Sequence, residues 1–189
     1  LKIVCIGDSL TFGYGVREIE CWVSLLRKGL NGEVINKGIN GDTTDGMTYR
    51  FQRDVISKSP THVIIMGGSN DLIMGRSKTD IINNIEEMIN LSIKDGVMPI
   101  IGIQPPMDAE MANKYWSAYT DFKQVNENIR AYRDWATSYI KKTNLTCFDF
   151  YKAINESMYK YKKEEIYIDG VHFTPRGHSI MAGIINIKK

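Results

Sequence analysis

Cysteine is scarce. The 189 residues contain three, Cys5, Cys21 and Cys147, odd in number and far apart, which leaves neither a disulfide framework nor a CxxC metal or redox motif. No apolar run approaches the roughly 20 residues that cross a bilayer, so no integral membrane contact is expected. Neither sign of charge dominates: Lys plus Arg is 24, Asp plus Glu is 22, and the formal net charge is +2. With no strong basic cluster either, a nucleic-acid partner is not expected. Internal repeats and low-complexity tracts are absent. What remains, 43% apolar and 24% charged residues, is the balance of one soluble globular domain over residues 1–189. The opening Leu1-Lys2-Ile3-Val4-Cys5-Ile6 has no basic n-region and no cleavage site, so a cytoplasmic protein is expected, with export left open to a form whose leader precedes Leu1. Oligomeric state is not legible in the sequence.

Short apolar runs alternate with stretches of helical period. Lys2 to Ile6, Glu33 to Asn36, His62 to Met66, Met98 to Ile103 and Leu145 to Phe150 read as strands. Helices are predicted over Glu18 to Leu30, Thr43 to Ser57, Thr79 to Lys94, Ser117 to Lys142 and Pro175 to about Ile187. The third shows Ile82, Ile85, Ile89 and Ile93 on one face and stops at Gly96; the last opens with Thr174 as N-cap and Pro175 at the first helical position. Gln104-Pro105-Pro106 starts a loop to about Trp116. Five β-α repeats imply an α/β, three-layer, flavodoxin-like fold with a five-stranded parallel sheet in the order 2-1-3-4-5.

Such sheets bind ligands beyond the carboxyl ends of their strands. The first three strands are followed by Gly7-Asp8-Ser9-Leu10, by Asn36 to Thr44 with Gly38 and Gly41, and by Gly67-Gly68-Ser69-Asn70-Asp71. These strands are neighbours in the predicted order, so the loops converge. Asp169-Gly170-Val171-His172 precedes the last helix. A serine needs a base to become a nucleophile. Of three histidines, His62 starts a strand at the far end of the sheet and His178 falls inside the last helix, whereas His172 sits in a loop three residues after a carboxylate that can orient it. Donors for an oxyanion are at hand in the Ser9 N–H, a glycine N–H of the second loop and the Asn70 side chain.

Gly7-Asp8-Ser9-Leu10 resembles the signature of the GDSL lipases and esterases, the SGNH hydrolases. Four family blocks occur in order: the GDSL block, a second-block glycine at Gly41, GxND as Gly68-Ser69-Asn70-Asp71, and DxxH as Asp169-Gly170-Val171-His172. The resemblance implies a catalytic triad of Ser9, His172 and Asp169, and an oxyanion hole of the Ser9 N–H, the Gly41 N–H and the Asn70 amide. It also implies no metal, no organic cofactor, and a small-molecule ester as substrate.

Each residue also has a plainer reading. A serine after a strand is ordinarily a helix cap, Asp169-Gly170 alone is a turn pair, and Asn70 can merely cap its loop; the four blocks together favour catalysis. Asp8 and Asp71 are expected to hold loops, His62 and His178 to be surface or packing residues, Cys5 and Cys147 to be core, and Cys21 to be partly exposed. Tyr14, Met47, Met74, Pro105, Pro106, Met107 and Trp116 are candidates for an acyl pocket. The expectation is a serine esterase. Its rivals are a carbohydrate O-acetylesterase of the same family, which calls for an open cleft with aromatic platforms around Trp116, and a non-catalytic flavodoxin-like binding module. Against the latter, Gly7 to Gly13 lacks both GxGxxG and a P-loop lysine.

Overall fold

Five parallel strands lie in the order β2-β1-β3-β4-β5 in a computed structural model describing residues 1–116 and 119–187: β1 (Lys2–Gly7), β2 (Glu33–Gly38), β3 (His62–Met66), β4 (Met98–Ile103) and β5 (Thr146–Asp149). The pairing is in register at the end that matters. Gly7 of β1 lies opposite Gly38 of β2 on one side and Met66 of β3 on the other, so the three loops that follow leave the sheet level with one another.

Helices cover both faces, because side chains alternate along each strand and both sets are apolar. Val4, Ile6, Val63, Ile65, Ile101 and Ile103 pack against α3 (Thr44–Asp54), α5 (Lys78–Lys94) and α7 (Phe122–Thr143). Ile3, Cys5, Ile64, Met66 and Ile100 pack against α2 (Trp22–Gly29), α8 (Phe150–Ser157) and α10 (Pro175–Gly183). Each large side chain so buried contributes roughly 1.5–3 kcal/mol.

Local chemistry sets the ends. Ser77 caps α5 by accepting the Asp80 N–H, Asp121 caps α7, and Thr174 caps α10 with Pro175 behind it, as its sequence predicts. Several expectations are corrected. The buried stripe of α5 is Ile81, Ile85, Met88, Ile89 and Ser92; Ile93 is exposed, because packing against α3 and α7 selects a face rotated from the one its isoleucines suggest. The Glu18 to Leu30 segment divides into a 3₁₀ turn (Glu18–Glu20) and α2, and the helix expected to Ser57 ends at Asp54 before a second 3₁₀ turn. The long helix begins at Phe122 rather than Ser117, which lies outside the described residues. Helix α10 stops at Gly183, and Phe150 opens α8 instead of closing β5. Cys21 is fully buried as the residue preceding α2, and Cys147 is only half-buried. The stretch after Gln104 contains α6 (Ala109–Tyr115), and α9 (Lys163–Ile166) precedes the Asp169 loop. Among the described residues no helix is long and apolar enough to cross a membrane.

Candidate active site

Ser9 opens a four-residue helix, α1 (Ser9–Phe12), directly after β1. Asp8 caps it, taking the Leu10 N–H at 2.9 Å. So short a helix is held from outside. Its carbonyl oxygens accept Trp22 Nε1–H at Leu10 (3.0 Å), and Asn36 Nδ2–H (2.8 Å) and the Cys21 thiol (3.4 Å) at Thr11. The Ser9 N–H, at the first helical position, has no acceptor among the described residues.

His172 reaches the same point from the other end of the chain. Its Nε2 lies 3.0 Å from Ser9 Oγ and its Nδ1 lies 2.8 Å from Asp169 Oδ2. Asp169 Oδ1 accepts the backbone N–H groups of Val171 (2.9 Å) and His172 (2.7 Å). Burial alone would raise the Asp169 carboxyl, but the His172 ring and these backbone donors outweigh it and hold it at about 2. The loop is braced from behind by the segment after β4. Asn126 of α7 grips Met107 through both its N–H and its carbonyl (2.8 and 2.7 Å), Asp108 N–H donates to Gly170 O (2.8 Å), and Tyr167 OH donates to Pro106 O (2.8 Å).

The second and third loops supply the remaining groups. Gly38 N–H is taken by Asn36 Oδ1, and a Cβ at Gly38 would meet Phe12 N at 2.1 Å, so this glycine serves close packing. Gly41 faces open space, and its N–H has no acceptor among the described residues. Asn70 starts from α4 (Ser69–Ile73), where one of its amide N–H groups donates to Asp42 O at 2.8 Å, leaving the other. The loops are tied by Asp71, fully buried, which accepts the Thr44 N–H (3.0 Å) and the Thr44 hydroxyl (2.8 Å). Burial raises Asp71 against these bonds, and it pushes Asp8 up to about 7 against the Leu10 N–H and the nearby His172.

Ser9, Gly41, Asn70, Asp169 and His172 all line one open cleft of about 630 Å³. Its walls are Tyr14, Tyr115, Trp116, Ile73, Met74 and Asn40. The Tyr14 and Trp116 rings pack at 4.4 and 5.4 Å from the His172 ring, measured between centroids. Met47, Pro105, Pro106 and Met107 are buried behind the site instead of lining it. His62 stands at the far end of the sheet, and His178 is buried with its Nδ1 accepting Trp22 N–H at 3.4 Å. Among the described residues no group of three or more His, Cys, Asp or Glu side chains is placed to hold a metal ion. Sequence reasoning missed Asp42, Asn126 and Tyr167, whose hydrogen bonds brace the loops of the site, and Asn40, Ile73 and Tyr115, which line it.

A family model for the GDSL-like lipase/acylhydrolase family matches residues 5–180. The chain is 28% identical to the uncharacterized lipoprotein YqeF of Bacillus subtilis, over 95% of this chain and 85% of that protein. It is 31% identical to an arylesterase of Vibrio mimicus over 64% of this chain and 62% of that protein. Among solved structures it is similar to a member of the lipolytic protein G-D-S-L family from Veillonella parvula, with a TM-score of 0.82, 25% identity, and coverage of 96% of this chain and 94% of that one.

Proposed function

The chain belongs to the GDSL-like lipase/acylhydrolase family, and on that premise we propose that it hydrolyses carboxylic esters through an acyl-enzyme on Ser9. The observation that carries the reading is the unbroken relay Ser9 Oγ, His172 Nε2, His172 Nδ1, Asp169 Oδ2, with links of 3.0 and 2.8 Å, opening on a cleft. Ser9 Oγ attacks the ester carbonyl as His172 Nε2 takes its proton. Asp169 keeps the Nδ1–H tautomer and stabilises the imidazolium. The carbonyl oxygen, now negative, receives the Ser9 N–H, the Gly41 N–H and the second N–H of Asn70. As the tetrahedral adduct collapses, His172 returns its proton to the leaving alcohol. Water, deprotonated by the same nitrogen, then releases the acid and restores Ser9.

His172 must deliver a proton to the leaving oxygen, so the alcohol portion lies on its side of the cleft, beside Tyr14 and Trp116. Both rings are partly exposed, at 47% and 41%, and present apolar faces to it. With Ile73 and Met74 on the walls, this favours esters with an aryl or other apolar flat alcohol. A second reading, a carbohydrate O-acetylesterase, is favoured by the same platforms, since a sugar ring also stacks on tryptophan. An acetylxylan esterase of Geobacillus stearothermophilus is 36% identical over 38% of the chain.

The test is a panel of aryl, alkyl, thio- and acetyl-sugar esters with wild type and Ser9→Ala, together with a fluorophosphonate probe. Turnover that vanishes in a folded Ser9→Ala, and labelling of Ser9 alone, are expected. Aryl esters are expected to exceed acetylated sugars in kcat/KM, and the reverse order selects the second reading. Labelling elsewhere, or a fully active Ser9→Ala, would falsify the Ser9 mechanism.

A further inference from the structure

Arg50 is 5% exposed in the middle of α3, and all three of its donor positions are used. Nη2 donates to Gly7 O at 3.0 Å, Nε to Asp42 Oδ2 at 2.7 Å, and Nη1 to Asp54 Oδ2 at 3.0 Å. Two of these partners adjoin the groups that the proposed mechanism uses. Gly7 is the last residue of β1, two before Ser9. Asp42 follows Gly41, and its own carbonyl is the acceptor that orients Asn70. The other carboxylate oxygen of Asp42 takes the Thr43 N–H at 3.1 Å.

We infer that Arg50 is the positioning residue of the oxyanion hole: one guanidinium sets the mutual placement of the Ser9 N–H, the Gly41 N–H and the Asn70 amide. This rests on the Ser9 esterase reading. A planar fork is suited to it, because its donors leave in fixed directions within one plane, whereas an ammonium is a point charge on a flexible stem. The base of the fork is rigid as well. Met47 and Phe51 lie on the same stripe of α3 and are wholly buried against the sheet. Asp54 completes the charge balance from the opposite side. It is also held by Arg53 Nε and Nη2, both at 2.9 Å, and lies 3.9 Å from Lys37 Nζ at the end of β2, without a bond to Gly41, Asp42 or Asn70 among the described residues. Arg50 touches no reacting atom; it acts through the backbone of the first loop and through Asp42.

Asp42 and Asp54 are carboxylates on one guanidinium, so their truncations form a matched pair. A group that only holds the fold loses stability with either. A group that holds the hole loses kcat with Asp42 alone. The experiment measures kcat, KM, the Ser9 phosphonylation rate and Tm for Asp42→Ala, Asp54→Ala, Arg50→Lys and Ser9→Ala, well below each Tm. In Asp42→Ala and Arg50→Lys, kcat is expected to fall by about 10²-fold, the cost of a displacement near 1 Å, with slower phosphonylation. KM should stay within about twofold, since the hole acts in the transition state. Asp54→Ala is expected to lower Tm and leave kcat within about twofold. If Asp42→Ala does not fold, Asp42→Asn and Asp54→Asn replace the pair with the same expected split. Equal loss of kcat in both members, loss in neither, or loss expressed in KM overturns the role of Arg50. In those cases a dead Ser9→Ala shows that the esterase reading stands, whereas a fully active Ser9→Ala removes that reading itself.

Discussion

The side-chain amide of Asn70 gives one N–H to the main-chain carbonyl of Asp42 at 2.8 Å, so the group proposed to meet the oxyanion is already oriented before substrate arrives. One hydrogen of the amide is thus taken by the second loop, and the residue lines the cleft with the other. Preorganisation of this kind costs no rearrangement at the moment of reaction, which is why such donors act on kcat.

Asn70→Ala should therefore lower kcat by roughly 10²–10³, or about 2.7–4 kcal/mol, with KM little changed. It should also loosen the second loop, because Asp42 O loses its donor. Asn70→Asp should be at least as damaging, since a carboxylate repels both the oxyanion and the Asp42 carbonyl. Steady-state kinetics and phosphonylation rates check this. An effect confined to KM would make Asn70 a substrate-binding residue.

Asp169→Asn separates orientation from loop structure. The asparagine Oδ1 can still accept the Val171 and His172 backbone N–H groups, so the loop should keep its shape. The amide nitrogen then faces His172 Nδ1 as a donor and favours the wrong tautomer. A fall in kcat of about 10³–10⁴-fold with little change in Tm is expected. Because Asp169 is held at about 2, its protonation should also leave no step in the kcat/KM profile of wild type near neutrality.

The fold and the candidate triad were legible for a physical reason: both rest on short-range patterns. Apolar runs of strand length alternating with helical periods specify the parallel sheet, and each catalytic type sits at a strand or loop end where chemistry is expected. Arg50 was not read, although a signal existed. Met47, Arg50, Phe51 and Asp54 form one helical stripe, so two charged residues four apart stand on the face that must be buried. A buried pair of that kind leaves guanidinium donors that need further partners, and the stripe could not say that these were Gly7 O and Asp42. The Asn126 grip on Met107 and the Tyr167 bond to Pro106 were unreadable for a related reason. They join segments 19 and 61 residues apart, and nothing local marks them. The short helices α1 and α4 were read as loops because four or five residues carry no period.

Gly170 stands between Asp169 and His172 with φ of +89°, and a Cβ there would meet Ala112 N at 2.3 Å and Asp108 O at 2.6 Å. Gly170→Ala should cost more than the ~1–2 kcal/mol of a left-handed L-residue, because α6 must also move away. The displaced loop takes His172 from Ser9, so kcat should fall along with Tm. Gly96→Ala is the control. Its φ is +70° but open space surrounds it, so it should lose stability and keep kcat. Equal kinetics in the two variants would show that the approach of α6 does not position His172.

Two buried groups give the stability opposite pH slopes. His178, packed under α2, is pushed down from 6.5 to about 4 by burial. Between those values the unfolded chain binds the proton and the folded one does not. The contribution of His178 is therefore fully present above the unfolded value and lost as pH falls toward about 4, a difference of about 3 kcal/mol. Asp8 is pushed up by burial from 3.8 to about 7. Here the folded chain binds the proton first, so the contribution is present below the unfolded value and lost as pH rises through about 7. Asp71, also raised by burial, acts in the same sense as Asp8. Removing one group should expose the other. His178→Gln, which keeps an acceptor for the Trp22 N–H, should make stability fall more steeply with rising pH than in wild type. Asp8→Asn, which still accepts the Leu10 N–H, should make it rise more steeply. Urea unfolding at a series of pH values between about 4 and 7 reads both slopes directly. If both variants keep the wild-type slope, neither group is held away from its ordinary protonation. A shift opposite in sign for Asp8→Asn would place an ionised carboxylate, rather than a neutral acid, beside the nucleophile.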